Sequence, residues 1–383
     1  MDFELTREQK DIQQAAREFA AGEFDKDLAI KHEKEHSFPR SVWKKACQLG
    51  FIGIHFPEEH GGQGLGVVEN ALIIEEFCRR DSGIGVALSL ADFASDIVMR
   101  HGSEGQKKSI LPAIASGKMI SAGCFTEPNH GSDITAMETA AVKDGDAWVI
   151  NGTKTFITNG CIADVYIVLC QTDPAVQPAY RGQSLILVPK GTPGLEAAEV
   201  GDKMGIRMTS TAEVSFSGVR VPLENLIGQE NRGFYQVLEF FDESRIEVAA
   251  SAVGMAQGAF DRALEYSKQR KQFGQRLADF QVTQHKLADM ATQIEAARLL
   301  TYKAAWCVDQ GKPDAKLTAM AKLYAGRTAV YVADEAVQIH GGYGYILENE
   351  VERYYRDAKV TELYEGTKEI QKNTIAGILI RKK

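Results

Sequence analysis

The stretch Trp148-Val149-Ile150-Asn151-Gly152-Thr153-Lys154-Thr155-Phe156-Ile157 decides the fold class, because it is β-rich sequence inside a chain that otherwise shows helical patterns. Its β-branched and aromatic residues favour strands, and the Asn-Gly pair at its centre is the strongest short signal for a hairpin turn. Further strands are predicted at Asp164–Cys170, Ser184–Val188 and Glu213–Phe216, with Gly and Pro between them. This middle block predicts a β-barrel or a β-sandwich.

Helical patterns lie on both sides of this block. Thr6-x-x-Gln9 matches a capping box at the start of the first helix. Further helices are predicted at Ser41–Leu49, Val68–Arg79, Gln106–Ala115, Phe234–Arg270, Gln281–Gln310 and Asp314–His340, with a shorter helix after Gly366. We therefore expect an α+β protein with an N-terminal α-helical domain at residues 1–120, a middle β-domain at 121–232 and a C-terminal four-helix bundle at 233–383.

The composition indicates a folded protein with an acidic balance. The 383 residues carry a formal net charge of −8, which argues against a nucleic-acid-binding body. The six cysteines stand singly, without C-x-x-C spacing, and the histidines lack companion ligands, so we expect reduced thiols and no metal site. The acidic start Met1-Asp2-Phe3-Glu4 lacks the pattern of a signal peptide, and no apolar run reaches the roughly 18–20 residues that span a bilayer. We expect a cytoplasmic protein without membrane insertion.

Two segments of the β block combine glycine with polar side chains. The segment Phe125-Thr126-Glu127-Pro128-Asn129-His130-Gly131-Ser132-Asp133 offers hydroxyls and free backbone N–H groups, which suit a polar planar ligand or a phosphate. The alternative is an ordinary connection in which Ser132 and Asp133 cap the next element. Phe156-Ile157-Thr158-Asn159-Gly160 places an aromatic ring and a hydroxyl at a strand end, which is uninformative by itself.

Glycines also lie beside charged or polar residues at the ends of two long helical patterns. Arg270-Lys271-Gln272-Phe273-Gly274 suits a pyrophosphate, and the alternative is a solvated charge run that ends at a glycine cap. Gln338-Ile339-His340-Gly341-Gly342-Tyr343-Gly344 permits close backbone approach. It is not a G-x-G-x-x-G motif after a strand, so it does not indicate a Rossmann fold.

The segment Leu363-Tyr364-Glu365-Gly366-Thr367 places a carboxylate beside a glycine in an apolar setting, just before the last helix. A lone Glu at a helix start usually caps the helix or faces its dipole. The functional alternative is a desolvated base with a raised pKa. The local sequence leaves both interpretations open.

Together these five segments, with Asp242-Glu243-Ser244-Arg245, resemble the acyl-CoA dehydrogenase family in order and spacing. The resemblance covers essentially the whole chain. It implies an FAD-dependent enzyme that dehydrogenates an acyl-CoA at its α and β carbons to the 2-enoyl-CoA and passes the electrons to an electron-transfer flavoprotein. It also implies a homotetramer built as a dimer of dimers.

The resemblance also implies a role for each matching residue. The residues that match FAD-contacting positions of the family are Phe125, Thr126, Ser132, Phe156, Thr158, Arg270, Gln272, Phe273, Gln338, Gly341, Gly342 and Thr367. Of these, Arg270, Gln272 and Phe273 match residues that reach the FAD of a neighbouring subunit. Contacts to the substrate are matched by Ser132, Asp242, Arg245 and Gly366. Glu365 matches the catalytic base that removes the α-proton, and its backbone N–H matches a donor to the thioester carbonyl.

The sequence departs from the family pattern at several positions. Phe156 stands where many members have Trp, which keeps a stacking ring but removes a donor, and Asn129-His130 replaces a common small pair. In Ala87–Asp96, a helical stretch that approaches the acyl pocket in the family, Asp92 and Asp96 are spaced to share one helix face. If that face lines the pocket, a carboxylate disfavours long alkyl tails and favours short, branched or alicyclic acyl groups such as cyclohexane-carboxyl. The alternative is that the two acids face solvent. This stretch contains no arginine that could bind the second carboxylate of a glutaryl group, which argues against glutaryl-CoA as the substrate.

Other activities share the fold that the resemblance implies. It also carries acyl-CoA oxidases and other flavin enzymes, and a non-enzymatic assembly scaffold would retain it as well. The presence of Glu365 favours α-proton abstraction over relatives that lack a base there. The intact cofactor segments argue against a scaffold.

Overall fold

The structure is a computed structural model that describes residues 4–381, so the ends of the first and last predicted domains, residues 1–3 and 382–383, lie outside it. The domain boundaries at residues 120/121 and 232/233 stay predictions. Helices fill the first part of the described chain: α1 (Arg7–Glu23), α2 (Lys26–Glu35), α3 (Arg40–Gln48), α4 (Val67–Arg80), α5 (Ser82–Ser89), α6 (Ser95–His101) and α7 (Glu104–Ala115). The predicted capping box is present, because Thr6 Oγ1 accepts a hydrogen bond from Gln9 N at 3.1 Å and Gln9 Oε1 accepts one from Thr6 N at 3.0 Å.

A single sheet follows these helices. Its strands are β1 (Ser121–Cys124), β2 (Ala140–Asp144), β3 (Ala147–Thr158), β4 (Val165–Gln171), β5 (Gln183–Pro189), β6 (Leu195–Glu199), β7 (Thr211–Pro222) and β8 (Leu226–Ile227). They are ordered β6-β7-β3-β2-β4-β5-β8, and β1 pairs with β4 in parallel. Strands β2 and β4 meet only at Ala140 and Gln171, so two half-sheets enclose a core that includes Trp148, Tyr166 and Phe216. The predicted α+β class with a middle β-domain is confirmed.

The predicted hairpin at Asn151-Gly152 is wrong. Strand β3 runs without interruption through both residues, and the register against β7 shifts between Ile150 and Gly152. Gly152 has φ +147°, and a Cβ there would lie 2.5 Å from Thr139 Oγ1. Glycine is therefore needed here because the strand forms a bulge and its backbone lies close to Thr139. The hairpin turn lies at Gly145, between β2 and β3.

Long helices return after the sheet: α8 (Gly233–Gln269), α9 (Gln281–Asp309), α10 (Ala315–His340), α11 (Val351–Ala358) and α12 (Lys368–Arg381), with a short pair β9 (Lys271–Gln272) and β10 (Gln275–Arg276) after α8. Helix α8 lies close to α4 because its middle is rich in small residues. A Cβ on Gly254 would meet Glu75 O at 2.4 Å, and one on Gly258 would meet Arg79 O at 2.2 Å. Only glycine permits this approach.

The stretch Ala87–Asp96 is not one helix, so the predicted shared face of Asp92 and Asp96 is wrong. Helix α5 ends at Ser89 and α6 begins at Ser95, and Ala94 between them has φ +71°. A left-handed residue breaks the helical ladder. Asp92 therefore lies in a turn, and Asp96 lies in the first turn of α6.

Three apolar clusters hold the described chain together: one in the N-terminal helices, one inside the sheet and one among α4, α8, α9 and α10. The first cluster reaches Phe125, Val237 and Phe240, so the N-terminal helices, the sheet and the start of α8 share a core. Among residues 4–381, no helix is long and apolar enough to cross a membrane.

Candidate active site

Glu365 lies on a short segment between α11 and α12 that is held by α8. Ser244 Oγ donates a hydrogen bond to Glu365 Oε2 at 2.5 Å. Arg245 Nε donates to the backbone oxygen of Glu365 at 3.0 Å. Glu365 has φ +51° and Gly366 has φ +91°, so two consecutive residues adopt the left-handed conformation. Such backbone strain clusters at functional sites.

The electrostatics of Glu365 suit a base more than a helix cap. Burial raises the pKa of Glu365 above its usual range, whereas the Ser244 hydrogen bond and the charges of Arg245 and Lys322 lower it. The cap of α12 is Thr367, because its Oγ1 accepts a hydrogen bond from Ile370 N at 3.3 Å. The carboxylate of Glu365 is therefore not used in capping, which favours the functional interpretation.

Three residues of this site escaped the sequence analysis as individual contributors: Ser244, Lys322 and Gln371. Lys322 Nζ donates to the backbone oxygen of Gly366 at 2.7 Å, and Gln371 Nε2 donates to that oxygen at 2.9 Å. Lys322 is 1% exposed and Gln371 is fully buried. Lys322 lies in an alanine-rich helical pattern, and this position could have indicated a buried lysine. A buried charge needs a polar partner, so the lysine could have been predicted to contact another segment.

A second group of ionisable side chains, His55, Asp92 and Asp96, faces α8, the helix that holds Glu365. His55 Nε2 and Asp96 Oδ1 are 2.6 Å apart inside the protein. Burial lowers the pKa of His55, but the charge and hydrogen bond of Asp96 outweigh it and raise that pKa to about 9. Burial raises the pKa of Asp92 to about 6, against the charge of His55. His55 therefore neutralises the charge of Asp96, whereas the carboxyl group of Asp92 is protonated more easily than an ordinary aspartate.

Glu247 is a further carboxyl group near the base that the sequence analysis did not single out. Asn70 Nδ2 donates to Glu247 Oε1 at 2.8 Å, and Oε2 has no donor within the described residues. Burial raises the pKa of Glu247 well above its usual value, and the charges of Asp96, Asp92 and Glu365 raise it further. Its surroundings therefore favour the neutral form of the Glu247 carboxyl group over the ionised form.

The segment from Phe125 to Asp133 is fixed against β3 by a buried ion pair. Lys154 Nζ donates to Glu127 Oε1 at 2.9 Å and to Phe125 O at 3.1 Å, and Lys154 is fully buried. The backbone of this segment also pairs with β3, because Thr155 N donates to Thr126 O at 2.9 Å. The structure thereby brings Phe125 and Thr126 alongside the strand end that carries Phe156 and Thr158.

The remaining predicted residues of this region differ in accessibility. Ser132 is exposed. Asp133 accepts a hydrogen bond from Thr135 N at 3.1 Å, which matches the capping interpretation for this residue. Phe156 has φ +55° and is 67% exposed, so a large ring is presented to the outside of the described chain. An exposed, strained aromatic residue suits a stacking partner that the protein itself does not supply.

Phe241 links this segment to the base. The rings of Phe125 and Phe241 are 5.9 Å apart in an edge-to-face arrangement, and the guanidinium of Arg245 lies 5.1 Å from the Phe241 ring. Arg245 in turn contacts Glu365. Asp242, one turn from Arg245, is partly buried, and burial raises its pKa against the charge of Arg245. The structure therefore brings Phe125, Asp242 and Arg245, three of the residues predicted to contact flavin or substrate, close to the predicted base.

A second set of predicted residues lines a separate cavity at the far end of α8. The cavity has a volume of about 460 Å³ and is lined by Arg270, Gln272, Gly341 and Gly342, together with Tyr266, Leu277, Ile339, His340, Tyr343 and Ile346. The rings of Tyr266 and His340 stack 4.3 Å apart at one side. Gln338 and Phe273 do not line it, and both are exposed, Phe273 to 95%.

The lining of this cavity combines an open backbone, a cation and aromatic rings. A Cβ on Gly341 or Gly342 would meet nothing within 4 Å, so the backbone there is open to a ligand. Arg270 supplies a positive charge on one wall, and the stacked rings of Tyr266 and His340 offer an apolar wall. An anionic pyrophosphate with an aromatic base has matching chemistry.

The two sets of residues are too far apart for one small ligand within a single chain. Arg270 follows the end of α8, 26 residues beyond Ser244, which corresponds to about 39 Å at 1.5 Å per residue. Residues 4–381 contain no group of three or more His, Cys, Asp or Glu side chains that suits a metal ion.

Comparisons with known proteins cover the whole chain. Family models for the N-terminal, middle and C-terminal domains of acyl-CoA dehydrogenase match residues 6–118, 122–219 and 231–380. The chain is 43% identical to acryloyl-CoA reductase (NADH) of Anaerotignum propionicum, over 98% of this chain and 95% of that protein. It is 43% identical to the short-chain specific acyl-CoA dehydrogenase of Clostridium acetobutylicum, over 100% of both chains. It matches, with a TM-score of 0.96 and 42% identity over 100% of both chains, a chain in a solved structure of the electron transferring flavoprotein of Acidaminococcus fermentans.

Proposed function

Because the chain belongs to the acyl-CoA dehydrogenase family and is therefore an FAD-dependent oxidoreductase of acyl-CoA thioesters, we propose that Glu365 is its base and that it acts on compact acyl groups. The acyl groups are short-chain, branched or alicyclic. The observation that carries this proposal is the setting of Glu365: a partly accessible carboxylate on a strained segment, with a pKa that burial raises and with Ser244 and Arg245 holding it.

The site supports abstraction of the α-proton of a thioester. This proton is only weakly acidic, so the reaction needs a base that is desolvated and held in place. Burial supplies the desolvation, and Ser244 orients one carboxylate oxygen. The left-handed conformation of Glu365 turns its backbone N–H away from the helical direction, and we propose that this N–H donates to the thioester oxygen.

The segment of Phe125 and Thr126 with the strand end of Phe156 and Thr158 would hold the flavin ring of FAD. The exposed ring of Phe156 provides a stacking surface, and the hydroxyls provide hydrogen bonds. FAD supplies, when bound, an acceptor for the β-hydrogen as hydride. The protein contributes the base, the orientation of the acyl group and the exclusion of water.

The preference for a compact acyl group rests on what surrounds Glu365. Glu365, Glu247 and Asp92 are partly accessible, yet burial dominates the pKa of all three. The surrounding protein therefore desolvates these carboxyl groups although part of each residue stays accessible. The partly buried rings of Phe93 and Phe241 lie in the same region. A long alkyl chain would desolvate these carboxyl groups without a compensating hydrogen bond, which is unfavourable.

We propose an electron-transfer flavoprotein as the electron acceptor. The chain matches, over its full length, a chain in a solved structure of an electron transferring flavoprotein, and this likeness supports the proposal. A similar protein is named acryloyl-CoA reductase (NADH), so reduction of a short 2-enoyl-CoA is a second candidate. The same residues serve both directions, because the base returns the proton that it removes.

We also propose that the protein is a homotetramer in which each FAD is shared between two subunits. The separation of about 39 Å along α8 supports the shared FAD site, because one FAD beside Glu365 cannot also reach Arg270 of the same chain. The exposed Phe273 and the adjacent cavity would then receive the adenosine end of the FAD of a neighbouring subunit. Dilution should release FAD together with subunits. A stable monomer with full FAD occupancy would exclude the shared site.

The substrate proposal is tested by an anaerobic panel of acyl-CoA thioesters, with bleaching of the flavin as the readout. The panel contains straight-chain, branched, dicarboxylic and alicyclic thioesters. Butanoyl-CoA and compact branched or cyclic thioesters should bleach the flavin fastest. Efficiency that rises from butanoyl to octanoyl-CoA and beyond would contradict the compact pocket. Reoxidation in air and by an electron-transfer flavoprotein then separates an oxidase from a dehydrogenase.

A further inference from the structure

Lys322 of α10 is a buried cation without an ion-pair partner. Its side chain is 1% exposed, and its Nζ forms no ion pair with a carboxylate of the described residues. Its hydrogen bond goes instead to the backbone oxygen of Gly366, at 2.7 Å. Burial lowers the pKa of Lys322 to about 8, against the charge of Glu365. Keeping a lysine in such a place is unfavourable for folding, so its contact with Gly366 calls for a functional reason.

The segment that Lys322 contacts is the strained one. Glu365 and Gly366 are both left-handed, and such a conformation persists only where the surroundings fix it. Four hydrogen bonds from three side chains converge on the two backbone oxygens of this segment. Arg245 and Gln371 donate to the oxygen of Glu365, at 3.0 and 3.2 Å, and Gln371 and Lys322 donate to that of Gly366, at 2.9 and 2.7 Å.

Lys322 also acts on Glu365 through its charge. A positive charge near a carboxylate favours the ionised form, and Lys322 lowers the pKa of Glu365 in this way. The other charged or titratable groups that face Lys322 or Glu365 are Arg245 and Glu247 of α8, Glu362 and Tyr364 of the preceding segment, and Glu369 of α12. Among these, Arg245 is the other cation, so Lys322 supplies part of the positive charge at the base.

We propose that Lys322 is a positioning residue for Glu365: it holds the peptide that follows the base and places a positive charge beside the carboxylate. Lys322 does not touch the reacting atoms. It acts by fixing the direction of the Glu365 side chain and of the Glu365 N–H. The inference rests on the proposed role of Glu365 as the base.

The test is the rate of flavin reduction by a saturating acyl-CoA in the holoenzyme, measured anaerobically over about pH 5.5–8.5. Lys322→Met should lower the limiting rate at neutral pH by about 10–100-fold, because small displacements of a catalytic group have effects of this size. The acyl-CoA dissociation constant should stay within about threefold of wild type. The midpoint at which the rate rises with pH should move upward, since a base without its neighbouring cation is harder to ionise.

Two further variants separate position and charge from a general packing effect. Lys322→Arg keeps the charge and a donor and should return the midpoint toward wild type. Lys303→Met, at an exposed lysine of α9, should match wild type in rate and midpoint. A Lys322→Met enzyme with full FAD, a rate within about threefold of wild type and an unchanged midpoint would overturn the inference.

Two outcomes of the test need separate treatment. If Lys322→Met does not retain FAD, Lys322→Gln replaces it, and equal midpoints for Lys322→Gln and Lys322→Arg would count against the inference. If no acyl-CoA bleaches the wild-type flavin, the proposed function fails as a whole. Failure of the Lys322 inference alone leaves wild-type bleaching intact, so the two failures are distinguishable.

Discussion

Replacing Ser244 by alanine should shift the pH dependence of the reaction. Ser244 Oγ donates the 2.5 Å hydrogen bond to Glu365 Oε2, and this bond lowers the pKa of Glu365 against the effect of burial. A hydrogen bond to a charged group contributes about 1.5–3 kcal/mol. At about 1.4 kcal/mol per pKa unit, its loss should raise the pKa of Glu365 by about one to two units.

The assay is the rate of anaerobic flavin reduction by butanoyl-CoA as a function of pH. The base must be ionised, so the rate rises with pH through the pKa of Glu365. In Ser244→Ala this rise should occur about one to two units higher, with rates about 10–100-fold below wild type at pH values under both midpoints. Above both midpoints the two rates should converge.

The control is Ser267→Ala, a buried serine on the same helix that donates to the backbone oxygen of Leu264 and lies far from the base. It should leave the midpoint unchanged. If Ser244→Ala shows the wild-type midpoint to within about 0.3 unit while binding acyl-CoA normally, Ser244 does not tune the base and the reasoning is refuted.

Three further predictions concern the segment of the base and the groups around it. Gly366→Ala should destabilise the protein by about 1–3 kcal/mol and reduce turnover, because Gly366 has φ +91° and the new Cβ would lie 2.8 Å from Gln371 Nε2. An unchanged melting temperature and turnover would contradict this prediction. Glu247→Leu should raise the efficiency with octanoyl-CoA relative to butanoyl-CoA about tenfold, whereas Glu247→Gln should keep the wild-type ranking; identical rankings for both variants would remove Glu247 from the acyl pocket. The pKa of His55 is raised to about 9, so its pairing with Asp96 stabilises the folded state fully below about pH 6.5 and loses this effect as the pH rises through about 9. The difference in melting temperature between wild type and Asp96→Asn should therefore shrink between these pH values. A difference that stays constant would refute this prediction.

Sequence patterns predicted the elements because their signals are local. Thr6 and Gln9 lie three residues apart and form the capping box that their spacing indicates. The predicted helix Asp314–His340 is observed as Ala315–His340. The Asn151-Gly152 hairpin failed because a glycine is also required where a strand bulges against another backbone, and the two uses look alike in sequence.

The candidate site was less accessible to sequence reasoning because its contacts join distant positions. Glu365 stood out through its glycine neighbour, whereas Ser244 lies 121 residues before it and Lys322 lies 44 residues before Gly366. The same holds for His55 and Asp96, whose pairing joins positions 41 residues apart and turns a suspected pocket acid into an ion pair. No local pattern encodes such contacts.

The central claim is that Glu365 removes the α-proton, and the most direct test is single-turnover flavin reduction by Glu365→Gln. The variant keeps the shape of the side chain and should bind FAD and acyl-CoA, because the backbone oxygens that Arg245 and Lys322 contact are unchanged. Its rate of flavin bleaching with butanoyl-CoA should fall by about 10²–10⁴, while Glu348→Gln, an exposed acid elsewhere in the C-terminal domain, should react as wild type does. Bleaching by Glu365→Gln within about threefold of wild type, with FAD fully bound, would contradict the account.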